Sequence, residues 1–454
     1  MPIDLRLRLS LMMFIQYFFW GAWYVTVGGY LGTKEVGFSD NEIGTTFAVA
    51  SFAAIASSFF MGMVVDRFFA AQKVLGILHI LGGVILYFAA QQTLGDNPNP
   101  SLFNILLFIH FLCYMPTLGL SNTLCFHHMD NPDKHFSGIR MFGTVGWIVA
   151  GLLVSKILGL DSKGTPADEA VWFFYIGAIS GVALGLYCFT LPHTPPPSVG
   201  KKVTARDVLG LDAIRLLKNP HFLTFMVCSF LICIPLAFYY AAAQRCLGEL
   251  GITEPAWKMT WGQMSEAVFL FIMPVLFIRL GFKKMLLIGM SAWVLRYGLF
   301  SFGSPDAVFW MLISGVILHG ICYDFFFVTG QIYVDRMASK EIRSAAQGLL
   351  VFVTLGLGLG IGSKIQGWIV NHYQDTATGK HDWEAIWIWP TGMAAVVFVL
   401  FALLFRDPPR EDTAQQEEGG GAEPAEDDPG GADEAGSEDE AAQTPMPIAD
   451  EESE

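Results

Sequence analysis

Charge is scarce over most of this chain. Asp, Glu, Lys and Arg make up 15% of its 454 residues, against ~25% in an average soluble domain. With 53% hydrophobic residues and a mean hydropathy of +0.47, that deficit excludes an ordinary water-soluble globule. Cysteine motifs are missing too. The seven cysteines (Cys113, Cys125, Cys188, Cys228, Cys233, Cys246 and Cys322) form no C-x-x-C and no His/Cys metal spacing. Nearly all lie in apolar runs, as small core residues rather than a disulfide frame. There is no H-E-x-x-H, no G-x-S-x-G and no nucleophile–base set, so neither an enzyme nor a metal site is indicated. No strand precedes the glycine-rich stretches, which removes a nucleotide-binding fingerprint. A leader-cleavage signal is also wanting: the apolar run after Arg6 and Arg8 continues to Leu31 and is expected to be an uncleaved first helix.

The net charge of −14 misleads. Of 41 acidic residues 18 lie between Asp407 and Glu454, with one of the 27 basic residues, Arg410, so the preceding chain holds 23 acidic against 26 basic residues. Segments such as Glu426-Asp427-Asp428 and Glu438-Asp439-Glu440, set among Gly, Pro and Ala, cannot bury apolar surface. The stretch 407–454 is expected to be a disordered acidic tail. A near-neutral body implies no nucleic-acid partner.

What is present is a series of apolar runs. Twelve are long enough to cross a bilayer: 9–32, 42–65, 74–93, 102–125, 139–160, 171–191, 221–244, 258–278, 284–303, 307–332, 343–371 and 385–405, since about 20 residues suffice. The longest polar interruption, 192–220, carries Pro195-Pro196-Pro197 and Asn219-Pro220. The expected fold is all-α and integral to the membrane, with twelve transmembrane helices in two six-helix halves: 1–191, a cytoplasmic linker 192–220, and 221–406. Placing both termini in the cytoplasm puts 18 Lys and Arg in inner loops and 5 in outer loops. That is the direction the positive-inside rule requires.

Ionisable side chains inside these runs are the candidate site, because each costs ~2.5–3.5 kcal/mol to insert and most face a bundle interior or a watered cavity. His319 and Tyr323, four apart in the tenth run, share a helix face, with Asp324 about 100° round. Arg140, Thr144 and Trp147 form one stripe of the fifth run, and Gln263 and Glu266 stand three apart on the eighth. Three runs thus each present polar or aromatic groups on one face. Lys156, Arg296 and Lys364 are expected to form structural ion pairs or to snorkel.

Gly62-Met63-Val64-Val65-Asp66-Arg67 with Lys73, echoed by Arg279 and Lys283-Lys284 in the second half, resembles the G-x-x-x-D-R…K signature of the major facilitator superfamily. The resemblance implies a cytoplasmic latch at Gly62, Asp66, Arg67 and Lys73 and a midplane site between the halves. It narrows further. Phe19-Trp20-Gly21-Ala22-Trp23, Tyr114-Met115-Pro116-Thr117-Leu118-Gly119-Leu120-Ser121-Asn122-Thr123, Arg140-Met141-Phe142-Gly143-Thr144, Leu209-Gly210-Leu211-Asp212-Ala213 and Asp324-Phe325-Phe326 resemble the nucleoside:proton symporter family.

The family resemblance implies proton-coupled import of purine and pyrimidine nucleosides by alternating access, no cofactor beyond the proton gradient, and a monomer in the cell inner membrane. Its substrate contacts fall on Arg140, Thr144, Trp147, Tyr240, Gln263, Glu266, His319 and Tyr323. The proton is expected on Glu266, or secondly on Asp324. On the seventh helix the chain departs from the family: Ala237 and Tyr240 stand where members can carry amides. Another small polar solute, such as a sugar, is therefore the alternative. A receptor that has lost transport fits less well with intact intramembrane charges.

Overall fold

The computed structural model describes residues 2–60, 69–129, 132–195, 211–339 and 342–407. Within them the chain is helical, with only an isolated bridge between Gln374 and His381. A helix satisfies its own backbone hydrogen bonds, which a bilayer demands. The main elements are α1 Ile3–Tyr24, α2 Asp40–Phe60, α3 Ala71–Gln91, α4 Pro100–His127, α5 Pro132–Gly151, α6 Trp172–Cys188 and α7 Pro220–Glu249. They continue with α8 Pro255–Gly303, α9 Phe309–Met337, α10 Ala345–His372 and α11 Trp383–Leu404. Among the described residues, nine helices are long and apolar enough to cross a membrane. Neither the first nor the second run is among them: α1 carries Asp4, Arg6 and Arg8 and gives way to a separate short helix, Val27–Leu31, and the second run extends beyond the described residues after Phe60.

Helix starts follow local chemistry. Asn99 and Asn219 accept backbone N–H bonds at the heads of α4 and α7, each with proline next, and Asp382 does so for α11. The eighth and ninth apolar runs join into α8, broken at Gly281, whose φ of 72° favours glycine. π-Helical turns extend α5 over Leu152–Ile157 and interrupt α9 at Asp324–Val328 and α10 at Phe352–Gly358.

The helices fall into two groups with separate cores. One core uses Phe19, Trp23, Phe111 and Phe174 among others, and the second Trp293, Tyr297, Phe300 and Trp387. α1 packs on α5 and α6, and α3 on α4 and α6; in the other group α8 packs on α9 and α11, and α7 on α10 and α11. The groups meet where α2 lies on α10 and α5 on α8.

Bonds joining the two groups cluster at the end of the bundle remote from the N-terminus. Asp40 of α2 takes Arg245 of α7 on one oxygen and His381 Nε2, at 3.0 Å, on the other. Glu249 receives Arg245 Nε, His381 Nδ1 and Trp383 Nε1, each at 3.0 Å. The ion pair Lys156–Glu254 at 3.4 Å and the bond from Ala256 N to Asp161 at 2.8 Å add to this seam. Lys156 thus forms the expected ion pair, while Lys364 donates to Thr45 Oγ1 across the groups.

Of the expected latch, Gly62, Asp66 and Arg67 lie outside the described residues, and Lys73 is exposed near the start of α3. Most of the stretch 192–220 and nearly all of 407–454 also lie outside them; Leu211–Lys218 forms a short 3-10 helix.

Candidate functional site

The candidate site is built where α8 and α9 cross. A Cβ on Gly320 would stand 2.6 Å from the backbone nitrogen of Glu266, and one on Gly262 would stand 3.0 Å from the Cβ of His319. Two glycines therefore allow the backbones to approach until His319 faces Glu266. Ser265 Oγ pins the crossing by donating to the carbonyl of Ile317 at 2.6 Å. The His319 Nε2 to Glu266 Oε2 distance is 3.8 Å, and the Glu266 side chain keeps 28% of its surface exposed. A carboxylate that is partly open yet set among helices can meet a solute and a proton.

Groups from both helix groups converge on it. Glu266 lies within electrostatic range of Arg140 of α5, Tyr17 of α1, Tyr240 of α7, and Tyr323 and Asp324 of α9. The Arg140 guanidinium stacks over Tyr17, 4.0 Å from its centroid. Tyr240 packs against both hydrophobic cores, which puts it on the seam between the groups. Tyr323 lies 5.7 Å from the His319 ring and 5.0 Å from Phe327. Gln263, one turn before Glu266, is half-buried and its Oε1 has no hydrogen-bond partner among the described residues. A buried acceptor without a donor costs ~1–3 kcal/mol, so that amide is ready for a ligand donor.

An aromatic wall comes from the first group. Trp147 sits 5.4 Å from Trp20, which also packs 5.4 Å from Tyr114. Gly21 leaves the space for it, since a Cβ there would meet the Trp147 ring at 3.1 Å. Thr144 is half-buried one turn before Trp147. Gln16 faces away from this wall: it bonds His79 at 2.7 Å and Thr117 at 2.8 Å, a packing role. Trp23 is fully buried against Phe174 and Phe111 and is likewise structural.

Asp324 is 1% exposed, and its Oδ2 has no hydrogen-bond partner among the described residues. It opens the π turn of α9, a feature often found at functional sites.

Sequence reading missed two residues and the surroundings of a third. Tyr17 and Tyr239 carry no charge and sit in aromatic-rich helices, so only their neighbours reveal them. Arg296 was expected in an ion pair or snorkelling. Instead it is fully buried, over the Tyr239 ring and 3.2 Å from His319. Ala237, the departure on α7, faces α10: a Cβ on Gly362 would lie 3.0 Å from its own Cβ. It is a packing contact between helices. A separate cavity of about 440 Å³ lies at the bonded end, lined by Gly29, Asp161, Arg245 and Glu254 among others, and not by the groups around Glu266.

The chain is similar to known proteins along most of its length. Residues 3–410 match the family model described as Nucleoside H+ symporter. The chain is 40% identical over 416 residues to the putative nucleoside transporter YegT of Escherichia coli (strain K12), covering 90% of this chain and 95% of that one. It is 30% identical over 419 residues to the nucleoside permease NupG of the same organism, covering 89% and 96%. The crystal structure of NupG superimposes with a TM-score of 0.79 at 29% identity, over 89% of this chain and all of that one.

Proposed function

Because the chain belongs to the nucleoside H+ symporter family, we propose that it imports purine and pyrimidine nucleosides with protons through the site around Glu266. It is a transporter and not an enzyme. The observation that carries this reading is convergence: Arg140 of one helix group lies within electrostatic range of Glu266 and Tyr323 of the other, and Tyr240 packs against both cores. A solute held by both groups is what alternating access requires, because only then does their relative motion expose it to one side and then the other.

The roles follow from chemistry. Trp147, Tyr240 and Tyr323 offer faces on which a base can stack. Arg140 and Gln263 present donors and an acceptor to base edges or ribose hydroxyls, with Thr144 beside them. Glu266 accepts a hydroxyl when ionised and holds the proton when not, and His319 supports it. Asp324 is the second candidate for the proton. Coupling needs only that proton and substrate interact differently with the carboxylate in the two conformations. No cofactor is needed beyond the proton gradient.

Counting the two arms of α8 separately, with α1 and α2, gives twelve crossings in two halves of six, joined by the stretch 192–220. The Lys and Arg distribution supports both termini in the cytoplasm of a cell inner membrane. The bonded seam then faces outward, and the described conformation is closed on that side. The chain is read as a monomer in the bilayer, latched inside by Gly62, Asp66, Arg67 and Lys73.

Uptake of labelled uridine and adenosine into cells lacking their own nucleoside carriers tests the reading. Both should accumulate, while free bases, ribose and glucose compete poorly. Equal competition by glucose would move the chain to a sugar substrate.

A further inference from the structure

Arg296 has no place in the reading above, yet it sits in the membrane-embedded part of α8 with 0% exposure. No carboxylate pairs with it among the described residues. Its guanidinium lies 3.1 Å from the centroid of the Tyr239 ring, its Nη1 is 3.2 Å from His319 Nδ1, and its Nε and Nη2 make no hydrogen bond there. Burying a charge so poorly compensated is costly. Its other close neighbours are Tyr239 and Cys322, and the contact with His319 is the one that leads to Glu266.

A guanidinium can only donate. The Arg296–His319 contact therefore requires a lone pair on His319 Nδ1, and the ring proton must sit on Nε2. That nitrogen is the one 3.8 Å from Glu266 Oε2. Stacking of the His319 ring on Tyr239 at 5.4 Å and 19° holds its plane. The groups facing His319 are Arg296 and Glu266 of α8, Tyr239 of α7 and Tyr323 of α9.

We propose that Arg296 is a positioning residue for transport: it fixes His319 as the neutral Nε2–H tautomer, aimed as a donor at the Glu266 carboxylate. His319 then orients Glu266 without competing for the transported proton. This rests on Glu266 being the substrate- and proton-linked carboxylate.

A double-mutant cycle tests it. Arg296→Gln should raise the KM for nucleoside about 10- to 100-fold, the loss expected when a hydrogen bond to a charged group is removed. In a His319→Gln background, whose amide has no tautomer to fix, Arg296→Gln should add less than about twofold. Equal cost in both backgrounds, at equal membrane abundance, would overturn the proposal. If Arg296→Gln does not reach the membrane, Arg296→Lys serves in its place. It keeps a donor to Nδ1 and should raise KM less than about threefold; a rise of about tenfold or more would count against the proposal.

Nitrogen NMR of the histidine-labelled protein reads the tautomer without any transport. The His319 signal, found by difference from His319→Gln, should be Nε2–H. An Nδ1–H form or an imidazolium would refute the positioning role and leave the Glu266 reading standing. Normal concentrative uptake by Glu266→Gln would sink that reading whatever the tautomer.

Discussion

In the proposed mechanism transport turns on Glu266, because a carboxylate set among helices needs either a proton or a partner. Its partners are conditional: His319 stands 3.8 Å away, and Arg140 approaches from the other helix group. Glu266→Gln should abolish accumulation against a gradient and flatten its pH dependence, while exchange of substrate across the membrane survives. Counterflow beside net uptake measures both, and net accumulation at the normal level would show that the proton rides elsewhere. Arg140 differs in kind. Its planar fork lies over Tyr17, and lysine offers neither the fork nor the stacking surface. Arg140→Lys should raise KM about tenfold or more, a loss of ~1.4 kcal/mol, while proton coupling persists in what uptake remains. A coupling defect with KM unchanged would contradict a binding role.

Elements explain why those residues meet. The α8–α9 crossing depends on Gly262 and Gly320, and a methyl group on Gly320 would press on the backbone of Ser265 and Glu266. Gly320→Ala should cost ~1–3 kcal/mol by overpacking and weaken nucleoside binding more than Gly298→Ala, whose Cβ meets open space. Thermal melting and binding on the purified variants would separate them. The bonded seam adds a pH response. Burial alone would lower the pKa of His381, but its bonds to Asp40 and Glu249 outweigh that and raise it above the ordinary 6.5. Arg245 opposes the charge without reversing it. A raised value means the imidazolium stabilises the closed seam fully below about pH 6.5, and this support is lost as pH rises through the raised value. Spin labels across the seam should therefore separate as the pH around it rises, and His381→Gln should remove that dependence. An unchanged distance would rule out His381 as a contributor to closure. The seam was not legible in the sequence, because Asp40 and His381 are 341 residues apart and each looks like an ordinary loop or cap residue. The crossing was half legible: the i, i+4 pair His319 and Tyr323 marked a face, but nothing in α9 announced the π turn at Asp324 or the contact with Arg296. Intramembrane charge is a clear signal of position in a bundle, and a silent one about which neighbour answers it.

At the scale of the whole molecule, apolar run length and the spacing of polar residues carried most of the fold, since a bilayer leaves the backbone few alternatives. The eighth and ninth apolar runs are the two arms of α8, divided at the non-helical Gly281. The described residues that form the candidate site all precede the acidic stretch that begins at Asp407. Its deletion should leave uptake per transporter in the membrane within about twofold of the full chain, by quantitative blotting beside initial rates, and loss of transport at normal abundance would show that it matters. The central claim is that nucleoside movement is tied to the proton gradient through Glu266. The most direct measurement is labelled uridine uptake into proteoliposomes under an imposed pH gradient, acid on the side of entry. The account predicts accumulation above the outside concentration that collapses with a protonophore and is absent in Glu266→Gln. Uptake that only equilibrates, or that ignores both the protonophore and the substitution, would contradict it.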